Sequence, residues 1–193
     1  MTPFVLASPS QFRPKPPPSL KSVEWARDYN EIKEFGEKNS TKRSARQTED
    51  ARFWISVNPG MSHQLERQIV IGKNMDILDS AHFMALASMA EADAGIALFD
   101  AKYKYEFWRP ITAIRNGDID GNPATERNAT WQPIDVTPMH PEYPCAHCII
   151  NSAVAAGVSS GSDALPAADC PVGAGSQLTE PVSGTPALRR PAK

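Results

Sequence analysis

The chain has 193 residues, enough for one ordinary domain and too few for two of usual size. Its 20 basic and 22 acidic residues leave a formal net charge of -2, so no overall field draws it to nucleic acid or to an anionic surface. No apolar run reaches the roughly 20 residues that cross a bilayer, and Met1–Ala7 lacks the basic start of a signal peptide, which leaves the compartment open.

Residues 1–21 are a Pro-rich arm, with Pro3, Pro9, Pro14, Pro16, Pro17 and Pro18 fixing φ and withholding backbone donors. The arm is either an extended strap or a disordered leader. Ser22 caps a helix with apolar positions Val23, Ala26, Tyr29, Ile32 and Phe35, and Gly36 stops it. A second short helix is expected around Thr48–Ile55, carrying Phe53 and Trp54. Asn58-Pro59-Gly60 reads as a turn, and Ser62–Ile71 as a third helix ended by Gly72.

The strongest helix signal begins at Asp76. Leu78, His82, Ala85, Met89, Ala92, Ile96, Phe99 and Tyr103 alternate four and three apart, which predicts a core-facing seam with His82 in it. Glu91, Asp93 and Asp100 then fall on a solvated face. No stretch alternates with period two, so the class is all-α, a helical bundle. Residues 22–156 form that domain. Residues 157–193 are rich in Gly, Ser, Ala and Pro without aromatics, and are expected to be a disordered tail.

Two constellations carry chemistry. In the first, Lys102 and Arg109 are seven apart, which on a continuous helix places them almost on one face about 10 Å apart. Pro110 follows Arg109 and suits the first position of a new helix running to Asn116, so Arg109 stands at a helix start, where unpaired N–H groups favour an anion. In the second, Pro144 opens a small-residue helix from Cys145 to Ala156, stopped at Gly157, with His147 in its first turn. An imidazole there can donate to an oxyanion or move a proton. Two proline-led helix tips, one with Arg and one with His, suggest a cage for a tetrahedral oxyanion.

Other readings of these residues carry less. Cys145-Ala-His-Cys148 invites a zinc or redox site, but a structural zinc needs four ligands and Cys170 stands alone in the tail. No strand precedes the pair, as a thioredoxin-like unit requires. Asp118-Ile-Asp120-Gly-Asn122 begins like a calcium loop, yet Ala129 stands where a bidentate Glu is needed, so it is a turn. His63 has no ligand-like spacing, His140 is close enough in sequence to His147 to line the same cleft, and Trp25, Trp54, Trp108 and Trp131 read as core or rim packing.

Lys102, six residues, Arg109-Pro110 and then Pro144-Cys-Ala-His147 resembles the first two active-site motifs of the superfamily of vanadium-dependent haloperoxidases and type-2 phosphatidic acid phosphatases. Phe107–Arg115, Asp120–Pro123, Trp131, Thr137-Pro138 and Pro141–Pro144, with Gln11–Pro14 and Asp28–Glu31, extend the likeness to its bacterial-type haloperoxidase-related branch. The resemblance implies that Lys102 and Arg109 hydrogen-bond oxygens of bound vanadate or phosphate, with His147 as the catalytic acid/base. It also implies that Cys145 and Ala146 line the anion, in places usually held by Ser and Gly. A thiol donates more weakly than a hydroxyl, which lowers the expected affinity. The implied reaction is peroxide-dependent halide oxidation on vanadate, or phosphomonoester hydrolysis in the phosphatases, with small-molecule substrates. The family completes its site with a Ser-Arg pair and a further histidine. After His147 this chain has no histidine, and Arg189-Arg190 lie in the tail, so an incomplete product with impaired chemistry or a non-catalytic oxyanion-binding remnant is expected. Relatives are often exported and such bundles often pair, so export and a homodimer are compatible with the resemblance.

Overall fold

The computed structural model describes residues 1–163, the side chains of Pro59 and of 160–163 apart; the expectation of a disordered tail lies, from residue 164 on, outside the described residues. Among the described residues six α-helices follow one another: α1 Val23–Phe35, α2 Ala45–Ser56, α3 Pro59–Gly72, α4 Ile77–Tyr105, α5 Pro110–Arg115 and α6 Ala146–Asp163. A 3-10 turn at Gly117–Ile119 follows α5. Among the described residues there is no strand, only an isolated antiparallel bridge between Glu37 and Pro133. The all-α expectation holds.

Local chemistry starts most of these helices. The Ser22 hydroxyl accepts from Trp25 N at the head of α1, and Asp76 accepts from Leu78 N and Asp79 N at the head of α4. Ser44 and Gln47 form a reciprocal capping box, which starts α2 three residues before the expected Thr48. The Asn58-Pro59-Gly60 turn is itself the cap of α3: Asn58 Oδ1 accepts from Gly60 N at 2.9 Å, and Pro59 takes the first helical position.

Two apolar clusters hold the helices. Trp25, Tyr29, Ala113, Ile114 and Trp131 join α1, α5 and the segment after them, with Leu20, Phe107, Trp108 and Ile111 packed around. The polar side-chain atoms of Trp25, Tyr29 and Trp131 are paired. Trp25 Nε1 donates to Asp120 at 2.8 Å, Trp131 Nε1 to Lys33 O at 2.9 Å, and the Tyr29 hydroxyl to Glu126 O at 2.8 Å. Burial, with the carboxylates of Asp120, Glu126 and Asp118 nearby, pushes the Tyr29 pKa up to about 12, so the hydroxyl stays a donor. The second cluster, Ile69, Phe83, Val154 and Val158, joins α3, α4 and α6.

Several expectations about α4 and α6 are corrected. The buried face of α4 runs through Phe83, Ala87, Leu98 and Ala101, one or two positions along from the predicted seam, while Leu78 and Tyr103 are exposed and His82 lies on the surface. The cause is α6, whose Gly157 comes close to α4 at small residues. A Cβ on Gly157 would stand 3.6 Å from Ala87 Cα and from the Ala90 Cβ. Gly157 is therefore a contact point within α6 and not its end, and the helix crosses the expected boundary at 156 to reach Asp163.

The displaced seam faces the arm. Phe4, Val5 and Leu6 donate their N–H groups to the Asp93 carboxylate at 2.6, 2.7 and 2.9 Å. Arg13 Nε reaches Asp100 at 3.0 Å, and the Tyr143 hydroxyl donates to Lys15 O at 2.8 Å. Asp93 and Asp100 are thus anchors, not members of a solvated face. The arm is a strap, and with α4 and α6 it bounds an apolar cavity of about 580 Å³ lined by Leu6, Phe12, Met89, Ala97, Ile149 and Ala153 among others. Of the core or rim reading for Trp54, only the rim remains: α2 buries no residue, and Trp54 is half-exposed against Phe53.

Candidate functional site

Lys102 and Arg109 do not share a continuous helix. Chain geometry breaks it between them: α4 ends at Tyr105, and Glu106 adopts left-handed φ +46 as its C-cap. Arg109 then stands as the N-cap of α5, extended at φ -76 and ψ 153, as a residue before proline prefers. The two cations nevertheless converge, because one loop, His140–Glu142, lies between them. Lys102 is 1% exposed and its Nζ donates to Pro141 O at 2.8 Å and to Glu142 O at 2.6 Å. Arg109 Nε donates to His140 O at 2.6 Å, and its Nη1 meets Glu142 Oε2 at 2.7 Å. Its Nη2 lies 2.8 Å from His140 Nδ1. Glu142 N donates to Phe107 O at 2.9 Å, which fixes the loop against the break after α4.

Burial is the main force on the Lys102 ammonium and draws its pKa below the ordinary lysine value. Arg109 pushes the same way, and the Glu142 carboxylate and Cys145 oppose it. A buried ammonium satisfied by two carbonyls beside a guanidinium held by a carboxylate is a donor-rich site with one internal counter-ion. Its donors suit an oxyanion.

Cys145 is exposed at the head of α6, where its carbonyl accepts the first helical bond from Ile149 N at 3.3 Å. It borders, with Trp25, Trp108, Glu142 and Tyr143, a cavity of about 370 Å³. In that wall Trp108 stacks on Trp25 at 5.9 Å between ring centroids, and its buried Nε1 has no partner among the described residues. The neighbouring Cys145 thiol first, and burial next, raise the Cys148 pKa to about 11. Ala146 opens α6 itself, half-buried beside His147.

His147 faces elsewhere. Its side chain is exposed and, with Ala146, borders a smaller cavity of about 180 Å³ with Asn58, Ser62, Glu91 and Asn151. Glu91 is half-buried there. Burial first, and the Glu66 carboxylate next, raise its pKa, while His63 lowers it. Glu66 is fully buried; one of its oxygens pairs with His63 Nδ1 at 3.0 Å and the other has no partner among the described residues. The structure thus brings Lys102, Arg109 and Cys145 to one place and turns His147 toward another cavity. Sequence reasoning missed Glu142 and gave His140 little weight. The signal for Glu142 was an acid inside the Pro141–Pro144 element, which needs a long-range partner before it means anything.

The helical architecture and this paired-cation loop can now be set beside known proteins. The profile of the VCPO second helical-bundle domain matches residues 82–191, more than half of the chain. The chain belongs to the vanadium haloperoxidase superfamily. Within this superfamily it is similar to vanadium chloroperoxidase of Curvularia inaequalis, at 33% identity over 142 residues. That alignment covers 60% of this chain and 23% of the relative, so the chain spans under a quarter of that protein. No solved structure matches the chain. The end of α4 through α5 and the loop into α6 both fall inside the matched segment. No helix among the described residues is long and apolar enough to cross a membrane.

Proposed function

We propose that this chain supplies the anion-holding part of a vanadium haloperoxidase-like site, serving peroxide-dependent halide oxidation on bound vanadate. The observation that carries the reading is the convergence of the Lys102 ammonium and the Arg109 guanidinium on the His140–Glu142 loop, next to Cys145 at the tip of α6. The donor set fits a vanadate or phosphate: two fixed cations, a thiol and the first N–H groups of an 18-residue helix. Glu142 holds the place of the anion on Arg109 and must yield it. Lys102 and Arg109 would bind the oxygens, and Cys145 and the Ala146 N–H would line the remaining side; His147, which faces the other cavity, would have to turn toward the anion before a ring nitrogen could take or give a proton there. Bound vanadate supplies the Lewis-acid centre at which hydrogen peroxide becomes an oxidant for halide. Similarity to a chloroperoxidase supports the haloperoxidase branch over a phosphomonoesterase.

The test is calorimetric titration of the purified full chain with orthophosphate, followed by paired assays of bromide oxidation with vanadate and peroxide and of phosphomonoester hydrolysis. Expected is phosphate binding that Lys102→Met abolishes, with any turnover appearing in the halide assay. Hydrolysis without halide oxidation would move the chain to the phosphatase side. Binding with neither activity would make it a non-catalytic anion-binding module, and no binding at all would remove the site.

A further inference from the structure

The chamber beneath the strap takes no part in the anion chemistry. Polar bonds tie the strap at two places. Phe4, Val5 and Leu6 donate their N–H groups to Asp93. Further on, Arg13 Nε reaches Asp100 at 3.0 Å, and the hydroxyls of Tyr105 and Tyr143 donate to Pro14 O and Lys15 O. Bounded by these ties, α4 and α6 is the apolar cavity of about 580 Å³, a size that suits a small molecule. Its walls restrict what can occupy it. Asp93 is the one charged side chain among the lining residues; it is 5% exposed, and its two oxygens already accept three N–H bonds at 2.6, 2.7 and 2.9 Å. Water inside a cavity needs about two to four polar partners, which these walls do not offer, whereas an apolar cavity of about 150 Å³ already stays dry and takes benzene. With the Asp93 charge answered by the strap itself, complementarity calls for an uncharged, apolar occupant.

Shape narrows the class. Along α4 the lining runs from Leu86 to Ala101, which at 1.5 Å per residue is about 22 Å of helix. The cavity volume spread over that length is about 5 Å across, the width of one unbranched hydrocarbon chain. Val5 and Phe12 line the cavity while remaining 73% and 71% exposed, so they mark the side that opens to solvent. We propose that this chamber binds one linear, uncharged hydrocarbon chain, whose polar end stays in water beside Val5 and Phe12.

The experiment is calorimetric titration of the full chain with 1-hexanol, 1-octanol and 1-decanol, beside the caged alcohol 1-adamantanol. One alcohol should bind per chain, and each added methylene should tighten binding about fourfold. The cage, with as many carbons as decanol, should bind roughly tenfold more weakly than decanol because it is too wide. Nuclear Overhauser contacts from bound decanol should fall on the methyl groups of Leu6, Met89 and Ile149. Ala97→Trp should abolish decanol binding and leave the helical circular dichroism unchanged. Should that variant fail to fold, the contacts in the parent chain still decide. Absence of binding, affinity indifferent to chain length or shape, or an Ala97→Trp variant that binds decanol as well as the parent would overturn the proposal. So would contacts to the Leu6, Met89 and Ile149 methyls from residues 164–193 or from a second copy of the chain in place of the alcohol.

Discussion

Replacing Glu142 with Gln should tighten phosphate binding. Glu142 Oε2 lies 2.7 Å from Arg109 Nη1, with the two side chains 37% and 17% exposed. An oxyanion arriving at Arg109 meets a like charge about 5 Å away, a repulsion of about 3 kcal/mol at an effective dielectric constant near 20. Because more than a third of the Glu142 side chain is in water, about 1 kcal/mol of that survives. Gln keeps an oxygen to accept from Arg109 and removes the charge, so affinity should rise about fivefold, given that 1.4 kcal/mol is tenfold. Calorimetric titration with orthophosphate near neutral pH reads this directly, and the gain should shrink at high salt. An affinity that stays constant or falls in Glu142→Gln would refute the view of Glu142 as the anion's competitor.

Two further outcomes concern stability. Burial alone would raise the Asp93 pKa, but the N–H groups of Phe4, Leu6 and Val5 outweigh it and hold the carboxyl below its usual range. The strap's anchor is therefore fully present above the ordinary carboxylate value of about 4 and is lost as pH falls through the depressed folded value. Hydrogen exchange at Phe4–Leu6 should lose its protection over that acid range, and Asp93→Asn should weaken the protection at neutral pH; protection in the variant equal to the parent's would count against the anchor. At Gly117 an added Cβ would stand 2.3 Å from the Tyr29 hydroxyl and 3.1 Å from Thr125 O. Gly117→Ala should cost about 1–3 kcal/mol in urea unfolding, and much less when Tyr29→Phe is already present.

The starts of α1, α4 and α5 were legible because caps are local: Ser22, Asp76 and Pro110 act within three residues. The buried face of α4 was not, because apolar bulk marks the predicted seam, whereas the structure selects the alanines that let α6 approach. Gly157 misled for the same reason, since a glycine that ends a helix and one that admits a neighbour look alike in sequence. At the site, the spacing brought Lys102 and Arg109 together, as the structure does, but for a wrong geometric reason. The helix between them breaks at Glu106, and a loop more than 30 residues away reunites them. The partners Glu142 and His140, and the turn of His147 toward Glu91, depend on tertiary pairing that no local pattern encodes.

The Glu66 carboxylate has a consequence for how the molecule breathes. It sits wholly out of water with one oxygen unmatched among the described residues, in the half of the bundle where α2 buries nothing. Desolvating a charge there offsets part of what Ile69 and Phe83 contribute, whereas the indole and phenol groups of the other half are all but fully matched. Opening should begin at α2 and α3 and spread to α6 while α1, α5 and Trp131 remain closed, so the α6 tip is hinged on the looser of the two halves.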